Sequence, residues 1–331
     1  MAATSQPAAE SRLSHERIAL AASTIDPVFL ASPQYHAEPL DRLTGARVVV
    51  KVETINPIRS FKGRGAEFFV GSLKGHPVNP LVCASAGNFG QGLAYSTRKR
   101  DIPLTVFAAE NANPLKVQRM RELGATVILA GEDFDAAKEA ARAHAGRTGT
   151  RFVEDGREVE IAEGAGTIAV ELLRRGPAFD ALLVPLGDGA LATGIGAWIK
   201  HRAPSTQVIA VAARGAPALE RSWRAGAVVT TDQANTIADG IAGREPVPEV
   251  IGDLRATVDD VLLVDDETLI RAMRLVFESL GLIVEPAGIA GMAALLEYPE
   301  RFRGAYIATP LCGGNVTAEQ GARWLWGGGA R

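Results

Sequence analysis

Short β-branched runs alternate with longer stretches of helical periodicity along most of the chain, and this alternation is the strongest signal in the sequence. Arg47–Val52 (RVVVKV) reads as a strand, as do Pro80–Ala84, Leu104–Phe107 and Thr126–Leu129. Helices are predicted over Gly65–Lys74, Gly90–Lys99, Pro114–Leu123 and Asp133–Ala145. The second half repeats the theme, with strands at Ala181–Val184, Val208–Ala212, Val261–Val264 and Ala305–Ala308. Its helices are expected at Gly166–Arg174, Leu191–Arg202, Glu267–Ser279 and Ala287–Leu296. Strand and helix in turn predict an α/β fold with open, mainly parallel twisted sheets flanked by helices. The first residues, Met1 to about Glu16, are polar and Ala/Ser-rich, so a disordered lead-in over residues 1–20 is expected. The run Asp155–Glu160 (DGREVE) is the most polar stretch at which the chain could cross between domains.

Composition narrows the function. With 331 residues, 47% of them hydrophobic, the chain can bury a large core or two smaller ones. A net charge of -3 without dense Lys/Arg runs gives no footprint for nucleic acid or for an anionic membrane surface. No segment reaches the length of a membrane span, and the N-terminus lacks the basic and apolar regions of a secretory signal, so a cytoplasmic protein is expected. Two cysteines far apart predict reduced thiols rather than a disulfide framework or a zinc site. There is no Walker loop, HExxH or GxSxG elbow, and the five histidines do not cluster, so no metal is expected.

Four loops, each just past a predicted strand, could carry chemistry, because helix N-termini there offer free N–H groups and positive dipole. Asn56–Gly65 (NPIRSFKGRG) places Lys62 in a turn at a helix start. Burial and the dipole should both depress its pKa towards the neutral amine that imine chemistry needs. Ser85–Gly92 (SAGNFGQG) has the shape of a carboxylate or phosphate cradle, or of a simple turn with a Ser cap. Gly187–Gly194 (GDGALATG) is a phosphate-binding turn that also matches GxGxxA. The next strand, however, ends in Ala212, Ala213 and Arg214 without the acid that NAD binding requires, although Arg214 would suit NADP. A second match, Gly164–Ala169, lacks a clear preceding strand. The fourth, Leu311–Asn315 (LCGGN), offers Cys312 either as a buried small hydrophobe or as a neutral group at the edge of a bound ring.

In this order and spacing, SFKGRGA, SAGNFGQG, GDGAL and CGGN resemble the motifs of fold-type II pyridoxal-phosphate (PLP) enzymes, within them the threonine/serine dehydratase and serine racemase family. The stretches EGAGTIAVE (Glu163–Glu171), TIADGIA (Thr236–Ala242) and EPAG (Glu285–Gly288) also fit, and the resemblance covers about residues 25 to 320. It implies the tryptophan synthase β-like fold. A large domain would comprise residues 21–80 and 160–331, and residues 81–159 a small mobile one. It implies pyridoxal 5'-phosphate as cofactor, with Lys62 as the Schiff-base lysine and the base at Cα. Phe61 would flank the cofactor, Asn88 bond its ring hydroxyl, and Gly187, Asp188, Gly189, Ala190 and Leu191 wrap its phosphate. Glu285 would also touch the cofactor, and Cys312 would face the pyridine nitrogen. Ser85, Ala86, Gly87 and Asn88 would receive the substrate carboxylate on their N–H groups, with Phe89 alongside. A thiol cannot hold that nitrogen protonated as a carboxylate would, which favours expelling a β-substituent.

The implied activity is β-elimination from L-threonine, L-serine or a related β-hydroxy amino acid, giving a 2-oxo acid and ammonia, in a homodimer. Alternatives are a β-replacement synthase, a racemase, an NADP-dependent oxidoreductase using the Gly187 loop, and a pseudoenzyme. The departures from the family pattern carry expectations of their own. Ala86 stands where racemases carry a second serine, so racemisation should be weak. Phe89 replaces a histidine and makes the substrate side more apolar. Asp188, beside a phosphate, should point outward or cap the following helix. Ala212, Arg214 and Ala218 stand where metal-binding members carry ligands. The chain ending soon after CGGN implies no regulatory module of that kind.

Overall fold

The structure, a computed structural model, describes residues 11–73, 79–85, 87–174 and 176–327. Lys74 at the end of one expected helix, Ala86 of the asparagine loop and residues 1–10 of the expected lead-in lie outside the described residues.

In chain order the elements are α1 (His15–Thr24), β1 (Gln34–His36), α2 (Glu38–Thr44), β2 (Arg47–Val52), α3 (Lys62–Ser72), β3 (Leu81–Ala84), α4 (Asn88–Arg98), β4 (Leu104–Ala108), α5 (Pro114–Glu122), β5 (Thr126–Leu129), α6 (Phe134–Thr148), β6 (Arg151–Val153) and α7 (Val159–Leu172). They continue as β7 (Ala181–Pro185), α8 (Ala190–Arg202), β8 (Gln207–Ala213), α9 (Ala218–Ala225), α10 (Pro248–Thr257), β9 (Asp260–Val264), α11 (Asp266–Leu280), α12 (Ala290–Glu297), α13 (Pro299–Phe302), β10 (Tyr306–Leu311) and α14 (Ala318–Trp324). Two sheets result. A six-stranded sheet runs β1-β2-β10-β7-β8-β9 and is parallel except for β1. A four-stranded sheet runs β5-β4-β3-β6 and is parallel throughout.

The strand sequences follow from this layering. β3 (LVCA) and β7 (ALLVP) are buried at every position, because a parallel sheet covered on both faces selects continuous apolar runs over alternation. Pro310 is tolerated inside β10 because pairing with β7 is confined to Ile307 and Ala308. Between the sheets lie α7 and α8. Their side chains join the cores of both sheets: Ile168 and Ile195 pack on the larger, Ile161 and Ala197 on the smaller. The two helices approach closely, and a Cβ at Gly194 would sit 1.9 Å from the Ala162 carbonyl oxygen. The Gly164–Ala169 match is thus part of a packed helix, where Gly164 lies against the Arg64 backbone.

The expected lead-in needs correction at residues 11–20. Ser14 caps α1, accepting from the Arg17 N–H at 3.2 Å, and its own N–H donates to Glu163 at 3.0 Å. Ile18 and Ala21 are buried, so the polar composition hid one apolar face.

Candidate active site

The carboxyl ends of the parallel strands in both sheets open onto one cavity, about 1080 Å³ including its mouth. Its walls bring together residues from all four sequence loops: Lys62, Asn88, the Gly187–Leu191 turn and Cys312.

Hydrogen bonds lock these loops to one another. The Phe61 N–H donates to the Cys312 carbonyl at 2.9 Å, and Ser60 bridges Gly313. The Asn88 amide donates to Glu285 and accepts from Asn315 at 2.9 Å. Beneath Lys62, α3 is anchored by Arg64, which is fully buried. Its guanidinium meets Glu53 at 2.8 Å and Glu171 at 2.7 Å, and Lys51 pairs with the same Glu171. A buried cation costs several kcal/mol of desolvation unless its donors are filled, and here both carboxylates are bidentate partners.

Lys62 opens α3 and lies between Phe61 and Phe89, its Nζ 5.0 and 5.9 Å from their ring centroids. Nζ donates to Asp155, the first residue of the polar run at which the chain could cross between domains. Asp155 instead sits 6% exposed in the turn between β6 and α7. This corrects the expected neutral amine. Burial opposes the charge, but Asp155 and Asp188 outweigh it and hold the Lys62 ammonium above its usual pKa. Asp188 is corrected as well. Its carboxyl faces the cavity and neither points outward nor caps α8, whose cap is Gly189. Burial and the neighbouring Asp155 push the Asp188 pKa up to about 6.

Gly189 begins α8 with φ 96°, and a Cβ there would meet Val250 at 2.4 Å, so the turn requires glycine. The N–H groups of Ala190, Leu191 and Ala192 find no acceptor within the helix and form an anion cradle at its positive end. Two of the N–H groups expected to receive a carboxylate already have acceptors. The Ser85 N–H is used by the sheet, donating to Phe107 at 2.9 Å, and the Gly87 N–H donates to the Ser85 hydroxyl at 3.0 Å. This leaves Asn88 and Phe89, whose N–H groups α4 does not use, at the mouth of the cradle. Ala86 cannot be placed in it, since it lies outside the described residues. Cys312 is buried, and burial raises its thiol pKa well above the usual value, so the wall there is a neutral donor.

A reachable lysine, an anion cradle at a helix N-terminus and a protonated thiol around one cavity fit an anionic aldehyde with a ring nitrogen. Residues 25–313 match the family of pyridoxal-phosphate dependent enzymes, and the chain belongs to that family. Its cofactor is accordingly pyridoxal phosphate. The L-threonine dehydratase biosynthetic IlvA of Pasteurella multocida is 31% identical over 301 residues, 90% of this chain; the match spans 59% of that enzyme's length. The L-threo-3-hydroxyaspartate ammonia-lyase of a Pseudomonas species is 30% identical and is covered almost end to end, at 95% of this chain and 99% of that one. Among solved structures, maize serine racemase superposes with a TM-score of 0.87 at 27% identity, over 95% of this chain and 97% of that one. Among the described residues no helix is long and apolar enough to cross a membrane.

Proposed function

We propose that this chain is a PLP-dependent ammonia-lyase that eliminates a β-substituent from a small amino acid, releasing a 2-oxo acid and ammonia. The observation that carries the reading is a lysine amine and a protonated thiol, Lys62 and Cys312, in the wall of one buried cavity. The names of the curated relatives support the same reaction class.

When bound, the cofactor supplies an electron sink for the bond at Cα. The residues do the rest. Lys62 holds the cofactor and, as the free amine, takes the Cα proton. The N–H groups of Ala190 and Leu191 receive the phosphate, with Gly187 and Gly189 letting the backbone approach. Phe61, Asn88 and Glu285 line the ring position, and the N–H groups of Asn88 and Phe89 take the α-carboxylate. The thiol of Cys312 does not protonate the ring nitrogen, so charge on Cα is short-lived and loss of a β-group wins. Asp188, whose pKa is pushed up to about 6, keeps part of its protons near neutrality and can hand one to a departing hydroxyl. From the family resemblance we also propose that it acts as a cytoplasmic homodimer.

The test is release of 2-oxo acid and ammonia from L-threonine, L-serine and other β-substituted amino acids, in equal amounts where the leaving group is a hydroxyl. Borohydride should fix the cofactor on Lys62, and Lys62→Ala should abolish turnover while leaving the circular dichroism spectrum intact. Retained turnover in that variant, or no 2-oxo acid from any member of the panel, sinks the reading.

A further inference from the structure

The proposed elimination does not use Asp155. This carboxylate lines the cavity at the end of β6 and is 6% exposed. One oxygen accepts from Lys62; the other, Oδ1, is buried without a hydrogen-bond partner among the described residues. A buried carboxylate needs a cationic partner or hydrogen bonds. Lys62 is the cation it has, and Lys62 is the residue that the cofactor and the Cα proton occupy during the reaction.

The other ammonium groups of the cavity are already held. Lys116 meets Asp239 at 2.9 Å and Glu285 at 3.5 Å; Lys138 meets Asp135 at 3.2 Å and Glu154 at 3.9 Å. Of the acids lining the cavity, Glu154 is paired with Arg142 at 2.6 Å and Arg157 at 3.0 Å from outside the wall; the other four (Asp155, Asp188, Asp239 and Glu285) face three lysines. The surplus opposes a substrate with a second carboxylate and favours one that brings a positive charge. Position adds to this. Asp155 is within hydrogen-bond reach of the amine that works at Cα, so the cation it takes lies one or two bonds from Cα.

Resting on the lyase reading above, we propose that Asp155 is a specificity residue for an ammonium group on the substrate's β-carbon, so that the preferred substrate class is a 2,3-diamino acid rather than a β-hydroxy one. The balance is complete without a further reactant. The Cα proton goes to Lys62, and the Cβ–N bond breaks with its electron pair leaving on nitrogen. The ammonium brought its own proton and departs as ammonia. Water then hydrolyses the enamine to the 2-oxo acid and a second ammonia.

The holoenzyme is assayed with L-2,3-diaminopropionate, L-serine and L-threo-3-hydroxyaspartate. The expected kcat/KM for the diamino acid exceeds that for serine on the order of 100-fold, the worth of a charge-assisted hydrogen bond, with hydroxyaspartate lowest. Asp155→Asn should collapse the ratio towards one. By calorimetry, Lys62→Ala protein, which turns nothing over, should bind the diamino acid far more tightly than serine. Serine or hydroxyaspartate turned over as well as the diamino acid, or equal binding of diamino acid and serine, overturns the proposal and leaves the lyase reading standing. Turnover of none of the three defeats the lyase reading instead. The wild-type ratio decides even if Asp155→Asn fails to fold.

Discussion

Replacing Arg64 by Met keeps most of the side-chain volume and removes a buried charge that holds two carboxylates. In the wild type the guanidinium donates to Glu53 and Glu171 through four hydrogen bonds and to Thr167 and Ser32 through one each. Glu171 gives a magnitude. Burial opposes its charge, yet Arg64 and Lys51 pull its pKa from 4.5 to about 2. A shift of that size corresponds to about 3 kcal/mol of stability, and breaking a buried pair costs about 3–5 kcal/mol by direct measurement in other proteins. With a urea slope of about 3 kcal/mol/M, the midpoint should fall by about 1 M or more. The sign with pH follows from the lowered pKa. The contribution is complete above pH 4.5 and is lost as pH falls towards 2, so wild-type stability should decline through that window and Arg64→Met should decline less. Arg64→Lys should lie between the two, because an ammonium cannot serve both carboxylates bidentately. Urea unfolding followed by tryptophan fluorescence measures all three proteins. A midpoint for Arg64→Met within about 0.2 M of wild type would refute the reasoning.

Asp188→Asn should raise the melting temperature of the cofactor-free protein at pH 7 and change it little at pH 4. A carboxyl whose folded pKa is raised from 3.8 to about 6 loses stability as pH climbs through that interval, and the amide does not. Gly189→Ala places a Cβ 2.4 Å from Val250 at a positive φ, so equilibrium dialysis should show cofactor affinity reduced at least tenfold. Ser85→Ala removes the hydroxyl that accepts from Gly87 and Gly90, and thermal unfolding should show a loss of about 1 kcal/mol.

Elements buried on both faces were legible from the chain. Arg47–Val52, buried after its first residue, begins and ends where the hydrophobic pattern puts it; Thr126–Leu129 does too, although it is a largely exposed edge strand. The chemistry-bearing loops were legible for a related reason: each follows a strand, and that is where an α/β fold exposes helix N-termini. What pattern alone missed depends on partners far away in sequence. β6 is only three residues long, and its pairing with β3 defines it. α9, with charged residues along one side, gave no apolar run long enough to read. Asp155 followed a strand too brief to see, so the rule that located Lys62 could not be applied to it. The charge state of Lys62 turned on Asp155 as well. Sequence showed the helix end and the burial but not the two carboxylates facing the amine.

Lys62 shares its helix with the buried Arg64 clamp, and the phosphate turn and Cys312 hang from the six-stranded sheet, whereas Asn88, Phe89 and Asp155 hang from the four-stranded one. On the proposed roles, most of the groups that would grip the coenzyme and those that would sort incoming molecules stand on separate frameworks, with Asn88 serving both. A change in the turn after one three-residue strand would then retune the diet through Asp155 and, through the same carboxylate, the charge on Lys62.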